Sequence, residues 1–446
     1  MKKILLVYVP FCTPASPPYS LTHLYSFLKN NCENEISVLD LNLEFHKLKF
    51  LSYQKYFQEK NWADYDKTTK EYHILTKKCY SENNKKVVND GKPEFFDELL
   101  KKIEDQKPDI VAFSVVYSSQ AFYAYALLKE LKNYITIVGG PSVNTKLIQL
   151  SDKHLKNEIE LLEYVKDQKI EHTGLNFESI LDFSIYSLSD YFTPKPVIPL
   201  KTCSTCYYKK CTFCAHFAKV PYQEFNLDDI KKTIIKSKQK YFFLIDDMIH
   251  LNRLLKLAVI FKELGVKWAC QLRPTKEWNY DVLQKLKSSG LIFILWGVES
   301  GNNRILNLMQ KGTNVKDVEI VLENSHKAGI KNITYIMFGF PGELESEFLD
   351  TIIFLEKNSE FIDLVSVSVF GLQRGTVIYE NLELFGIKEL VEEERTVLEP
   401  KISYELTAGL SKNNVIKLKR KYGKRIEQIN KYPNNMNFFR EHTFFN

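Results

Sequence analysis

The chain of 446 residues is long enough for about two or three domains, and its hydrophobic share of 44% is ordinary for a soluble globular protein. Its 61 basic residues nearly balance 55 acidic ones, leaving a formal net charge of +6, so charge alone does not demand a nucleic-acid partner. No apolar stretch approaches the roughly 20 residues that span a bilayer. The opening Met1-Lys2-Lys3 resembles a secretory leader only in its two lysines; the apolar run after it is short, and no small-residue cleavage site follows. The expected compartment is the cytoplasm, where thiols stay reduced.

The first 145 or so residues alternate strand and helix signals. Ile4–Val9 is a continuous apolar run of the kind that fills a buried parallel strand. Leu21–Leu28 has helical spacing, Glu35–Leu41 is a second strand, Asp109–Ser114 a third and Ile135–Gly140 a fourth, with an apolar helix over Gln120–Leu131. This β-α-β alternation predicts an open, doubly wound parallel sheet over 1–150. The aromatic, lysine-rich piece at 43–107 is expected to be helical and to lie over the sheet edge. Residues 151–194 read as a linker, punctuated toward its end by Pro194, Pro196 and Pro199.

A second alternating block runs over 195–385. Its predicted strands are Val197–Thr202, Tyr241–Asp246, Lys267–Leu272, Leu291–Val298, Asn332–Phe338 and Leu364–Phe370, separated by helical patterns. Gly265, Gly290 and Gly329 stand where helices end. Six β/α units predict a partial (β/α)6, TIM-like barrel, whose chemistry sits at the C-terminal ends of its strands. Asp246, Asp247, Arg273, Glu299 and the Gly339-Phe-Pro-Gly-Glu343 turn occupy those ends. Residues 386–446 read as a helical C-terminal region, with a basic helix at Lys412–Arg425.

Four of the eight cysteines fall within residues 203–214. Such crowding in a reduced compartment indicates a metal or cluster site before it indicates disulfides. Cys206-x4-Cys211-x2-Cys214 supplies three thiolates on one loop after a strand. A four-iron cluster normally takes four cysteines, so three leave one iron open to an exogenous ligand. Cys203 is either a fourth ligand or a bystander. The rival is zinc, since Cys203-x2-Cys206 and Cys211-x2-Cys214 are knuckle-like pairs; paired knuckles are usually about 12–20 residues apart, here only four.

A cysteine loop after the first barrel strand, ending Cys-Thr-Phe-Cys214, resembles the signature of radical S-adenosylmethionine (SAM) enzymes, with one residue more between its first two cysteines than the usual spacing. Phe243-Leu-Ile-Asp-Asp247, Trp296-Gly-Val-Glu-Ser-Gly301, Arg304-Ile-Leu306, Lys311-Gly312 and Met337-Phe-Gly-Phe-Pro-Gly-Glu343 resemble the family's later motifs, in order. Lys3–Val7, Val38–Asn42, Pro108–Ser114 and Val138-Gly-Gly-Pro141 are similar to the Rossmann-like cobalamin-binding domain that precedes the barrel in one large class of the superfamily. Two departures stand beside this likeness. No Asp-x-His-x-x-Gly motif marks a histidine as a lower cobalt ligand, and the acidic-glycine turn that usually follows Gly-Gly-Pro is absent from residues 143–185.

The resemblance implies that Cys206, Cys211 and Cys214 ligate a 4Fe-4S cluster whose open iron chelates SAM, and that a reducing electron then releases a 5′-deoxyadenosyl radical. It implies Phe213 beside the adenine, or simply over the cluster. Asp246 and Asp247 are placed toward the SAM ammonium; Asp247 is alternatively a cap of the next helix. Arg273 is placed on the SAM carboxylate, or in a structural salt bridge. Glu299 and Ser300 are placed at the ribose, and Gly339, Gly342 and Glu343 at an adenine-approaching turn, with helix initiation the alternative for Glu343. His216 is either a proton donor or a packed side chain. Ser114, Tyr117, Gly139 and Gly140 would face a cobalamin tail, or serve only the turns of the first sheet. No residue is marked as catalytic in its own right.

Three functions stay open. With cobalamin, methyl transfer to an unactivated carbon is the commonest outcome implied by the class; without methylcobalamin chemistry, oxidation, epimerisation, cyclisation or rearrangement is. A zinc-stapled binding protein, with RNA one candidate partner, is the rival from another class, although the 25 Tyr, 30 Phe and 4 Trp fall mostly in strand and helix patterns. An electron donor such as flavodoxin or ferredoxin is implied, and the substrate is a peptide, lipid, sugar or natural product. No cysteine follows Cys270, so no second cluster is expected, and no RNA-binding barrel pattern follows residue 385.

Overall fold

The computed structural model describes residues 1–59, 61–170, 180–215 and 221–446. Two parallel sheets organise it. The first contains β1 (Lys3–Tyr8), β2 (Glu35–Asp40), β3 (Ile110–Ser114), β4 (Ile135–Gly139) and β5 (Lys153–His154) in the order β2-β1-β3-β4-β5. Every pair in it is parallel. The order in which strands are added reverses between β1 and β3, and the crevice beyond the C-terminal ends of those two strands is where such sheets bind ligands. β5 and the helix Glu158–Lys166 extend this unit past residue 150, into the stretch expected to be linker.

The second sheet contains β6 (Val197–Leu200), β7 (Tyr241–Leu244), β8 (Lys267–Leu272), β9 (Leu291–Glu299), β10 (Lys331–Phe338) and β11 (Leu364–Val369), in strict sequence order. All neighbours are parallel. This is the open (β/α)6 barrel expected from the alternation. Strand side chains alternate between two cores, as a period of two requires. Phe242, Leu244, Trp268, Cys270, Ile294 and Trp296 pack outward under the helices. Ala269, Phe293, Leu295, Ile333 and Leu364 face inward.

The inward core also contains Leu5 and Val7 of β1, Val9 just after it, and Phe45, Phe57 and Tyr72 from the segment between β2 and β3. That segment forms helices Leu41–Lys49, Leu51–Gln58, Tyr65–Val88 and Phe96–Glu104. It was expected at the sheet edge; it shares the barrel's inner core instead, because its aromatic residues match the apolar lumen. The C-terminal region contributes Met436, Phe439 and Phe444 to the same core. Phe444 meets Phe293 at 4.9 Å between ring centres and Tyr241 at 5.6 Å, which plugs the lumen near the N-terminal ends of the strands.

The C-terminal region is not wholly helical. β12 (Ile387–Glu393) and β13 (Lys401–Leu406) form an antiparallel hairpin before the helix Lys412–Glu427. That basic helix buries Val415, Leu418 and Ile426 and pairs Arg425 with Glu356, so its charges line an outward face. Among the described residues, no helix is long and apolar enough to cross a membrane.

His442 locks the tail in place. It is fully buried, with Nδ1 2.9 Å from the Tyr65 hydroxyl and Nε2 2.7 Å from the Phe192 carbonyl oxygen. Burial pushes its pKa down from 6.5 to about 3, against the small upward pull of the Phe192 carbonyl. The unfolded chain takes up this proton below about 6.5 while the folded one does not. Stability from this group is therefore present above 6.5 and lost as pH falls toward 3. Between pH 7.5 and 5 the loss should be about 2 kcal/mol. Urea unfolding of His442→Gln should show a pH slope shallower by that amount; an unchanged slope would contradict the assignment.

Candidate functional site

The cysteine loop leaves the C-terminal end of β6 and is anchored there by Asp246, at the end of β7. Asp246 is buried and accepts hydrogen bonds from the backbone N–H groups of Thr202 (2.7 Å) and Cys203 (2.8 Å) and from the Thr202 hydroxyl (3.2 Å). The Cys203 thiol donates to the same carboxylate at 3.1 Å, and burial, reinforced by Asp246, pushes that thiol's pKa far up. Cys203 is thus occupied as a neutral donor inside the strand end. Both oxygens of Asp246 hold the loop, a role that sequence reading did not assign to it. Asp247 is exposed, and the cap of the next helix is His250, not Asp247.

Further along, the loop is clamped from the far side of the mouth. The Thr212 N–H donates to Met309 O at 3.0 Å and its hydroxyl to Leu308 O at 3.1 Å. The Tyr208 hydroxyl donates to Gln310 O at 2.8 Å. These anchors hold Cys206, Cys211 and Cys214 over the barrel mouth, with Cys206 buried and the other two half-buried. None is in a disulfide. Burial raises the Cys211 pKa; Lys311 and Arg273 pull it down, while Cys206 and Glu299 push it up, so all four stand within electrostatic reach of this thiol. Among the described residues, no three His, Cys, Asp or Glu side chains are close enough together to hold one metal ion. A four-iron cube spreads its thiolates farther apart than a single tetrahedral ion with metal–sulfur bonds of about 2.3 Å.

Opposite the loop lies an ion pair that sequence reading missed. Lys311 Nζ is 2.8 Å from Glu299 Oε1, with side-chain exposures of 8% and 14%. The ammonium also stands 5.8 Å from the centre of the Phe213 ring. Glu299 adopts φ +68°, a strained conformation for a residue with a side chain. Gly297 makes room for the pair: a Cβ there would lie 2.9 Å from both Glu299 Oε1 and Lys311 Nζ. The Lys311-Gly312 motif was visible in the sequence, but its partner was not, because β9 and the turn after the helix Asn303–Leu308 meet only in the fold.

Arg273 is buried at the end of β8, with its guanidinium carbon 3.6 Å above the Tyr208 ring and Nη1 donating to Lys311 O at 3.2 Å. Its partners are thus a ring and a carbonyl, not the structural salt bridge weighed as an alternative. Its Nε and the Oε1 of Glu343 are buried polar atoms with no protein partner. Glu343 Oε2 accepts from the Gly339 N–H at 2.5 Å, which folds the Gly339–Glu343 turn onto itself. Ser300 spends its hydroxyl on Thr351 Oγ1 at 3.2 Å and on the Asn302 N–H at 3.1 Å.

Burial raises the Glu343 carboxyl from 4.5 to about 7, with Gly339 N–H and Arg304 lowering it and Glu347 raising it. Its stabilising share is full below about 4.5 and disappears as pH rises through 7. In the unliganded protein, Glu343→Gln should gain up to about 3 kcal/mol over wild type between pH 5 and 8 in thermal unfolding. A pH-independent difference would sink the assignment.

At the first sheet, Ser114 is buried and donates to Ser20 Oγ at 2.9 Å, while Tyr117 is 53% exposed. Gly140 has φ +113°, and a Cβ there would lie 2.5 Å from Val115 O, so this glycine serves the contact between the ends of β3 and β4. A Cβ on Gly139 would lie 3.0 Å from Leu155 O. Gln120 ties the two strands at the reversal point together, accepting from the Val116 and Tyr117 N–H groups and donating to Val9 O. His216 lies outside the described residues.

Residues 200–355 match the model of the Radical SAM superfamily. Among curated proteins, 4'-phospho-dehydrooxetanocin synthase of Priestia megaterium is 24% identical over 371 residues, which is 67% of this chain and 49% of that protein. The chain thus spans about half the length of that relative. Among solved structures, the cobalamin-dependent S-adenosylmethionine radical enzyme OxsB with aqua-cobalamin bound superposes with TM-score 0.65 at 15% identity, over 92% of this chain and 65% of that one. The radical S-adenosylmethionine methyltransferase TsrM from Kitasatospora setae superposes with TM-score 0.60 at 11% identity, over 96% and 89%. Both likenesses are of fold.

Proposed function

We propose, from the match of residues 200–355 to the Radical SAM superfamily model, that the chain is a radical SAM enzyme that transfers a methyl group to an unactivated carbon with the help of cobalamin. The observation that carries this reading is the placement of Cys206, Cys211 and Cys214 on a doubly anchored loop at the mouth of the (β/α)6 barrel, facing Arg273 and the Glu299–Lys311 pair. When bound, the 4Fe-4S cluster would supply the electron that splits SAM into methionine and a 5′-deoxyadenosyl radical, and cobalamin would supply the methyl carrier.

The chain's own residues suit these groups. Three unbridged thiols are the donor set for a cluster with one open iron. The orphaned Nε of Arg273 is a donor for a carboxylate, and the orphaned Oε1 of Glu343 is an acceptor for an ammonium; SAM carries both groups. Phe213 and Gly339 would border the adenine and Glu299 the ribose, with Lys311 paired to the Glu299 carboxylate. Asp246 positions the loop, and Asp247 and Ser300 line the strand ends around it. The crevice at the β1–β3 reversal, with Tyr117 exposed and Ser114, Gly139 and Gly140 beside it, would take cobalamin. A small electron-transfer protein in the cytoplasm, of the flavodoxin or ferredoxin kind, would supply the electron.

Anaerobic reconstitution with iron, sulfide and SAM, with and without hydroxocobalamin, tests the reading. Cobalamin should be retained through gel filtration. A sample that forms 5′-deoxyadenosine but never retains cobalamin would favour oxidation, epimerisation, cyclisation or rearrangement instead.

A further inference from the structure

The inner wall of the barrel carries a cation that none of these roles uses. Tyr335 lies midway along β10, beside Gly297 of β9, and packs with the inward-facing core. Its hydroxyl is buried and has no hydrogen-bond partner. Arg440, from the C-terminal tail, holds its guanidinium carbon 4.9 Å from the centre of the Tyr335 ring.

The arginines paired with carboxylates among the described residues are Arg253, Arg304, Arg374 and Arg425. Arg440 is not one of them. Its sequence neighbour Glu441 lies within electrostatic reach, and burial pushes that carboxyl's pKa up against the downward pull of Arg440 and Ser16. Glu299, the other acid near Tyr335, is already neutralised by Lys311. The guanidinium is half-buried and stacked on a ring, and an anion beside it would give it the kind of partner that Arg253, Arg304, Arg374 and Arg425 already have.

Location gives that cation a use. Tyr335 lies within electrostatic reach of both Arg440 and Glu299, and Tyr117, at the reversal point of the first sheet, lies within reach of Arg440, Glu441 and Cys12. Arg440 therefore stands between the crevice of the first sheet and the inner wall beneath the Glu299–Lys311 pair. The tail that carries it is fixed from below by His442 and Phe444, so the guanidinium is presented on a rigid support.

We propose that Arg440 and the Tyr335 hydroxyl form an anchor for an oxyanion, a carboxylate or a phosphate, carried by the substrate. A planar fork beside a phenol donor matches such a group bidentately. The word substrate rests on the enzymatic reading above; the anion site does not.

The test uses full-length, anaerobically reconstituted protein titrated with inorganic phosphate and, separately, with succinate at constant ionic strength, read by thermal unfolding. Wild type should be stabilised by at least one of them, and the stronger identifies the anion. Arg440→Gln should weaken that binding roughly ten-fold or more and Tyr335→Phe a few-fold. Arg374→Gln, on the exposed hairpin side, should bind as wild type. Should Arg440→Gln fail to fold, Arg440→Lys decides: it keeps the charge but not the fork, so binding should be intermediate. No stabilisation of wild type by either anion, or undiminished binding in every folded Arg440 variant, overturns the site and leaves Arg440 as a staple for the tail. Formation of 5′-deoxyadenosine by the same wild-type sample reports on the SAM reading separately, so either idea can fail alone.

Discussion

Cys211→Ala should lose both iron and SAM cleavage, while Cys203→Ala keeps both. Removing one of three thiolates leaves two, too few to retain a four-iron cluster, so the reconstituted variant should fall from roughly four irons per chain to near none. Cys211 is half-buried, and its replacement opens little space, so the fold should survive. Cys203 is fully buried with its thiol committed to Asp246 at 3.1 Å. Its alanine variant should lose only about 1 kcal/mol of stability, the net worth of one hydrogen bond. Iron analysis and chromatography of 5′-deoxyadenosine on the two variants would check this. Loss of iron from both would mean that four cysteines bind, in a closed site that leaves no iron free for SAM.

Lys311→Met should be the most destabilising single change at the mouth. It leaves Glu299 inside the barrel without its counter-ion, a change that typically costs about 3–5 kcal/mol when the pair is buried. Glu299→Gln combined with Lys311→Met should recover much of that loss, because the remaining groups are neutral. The prediction concerns the pair's electrostatics, so chemical denaturation of the two single variants and the double variant settles it. Additive losses would show that the 2.8 Å contact contributes nothing by pairing.

The strands were legible because each is a short apolar run ended by glycine or a polar cluster: the predicted Lys267–Leu272 is β8 to the residue, and the other five barrel strands differ only at their ends. The cysteine loop was legible from spacing alone. What stayed hidden depends on contacts between distant segments. Asp246 looked like a ligand-facing acid because it ends a strand, but four donors from residues 202 and 203 claim it. Lys311 and Glu299 are only 12 residues apart in sequence, yet a helix intervenes and no periodicity links them. The helices of residues 41–104 gave no local sign that they would share the barrel's inner core, since an amphipathic face does not name its partner. The β12–β13 hairpin was missed because its strands are largely exposed and charged, which is also how a solvated helix reads.

The central claim is that three thiolates hold a four-iron cluster with one iron open to SAM. Mössbauer spectra of protein reconstituted with 57Fe, recorded before and after addition of SAM, address it most directly. One iron in four should change its isomer shift and quadrupole splitting when SAM binds, and the other three should not. Four equivalent irons indifferent to SAM, or stoichiometric zinc in their place, would contradict the account.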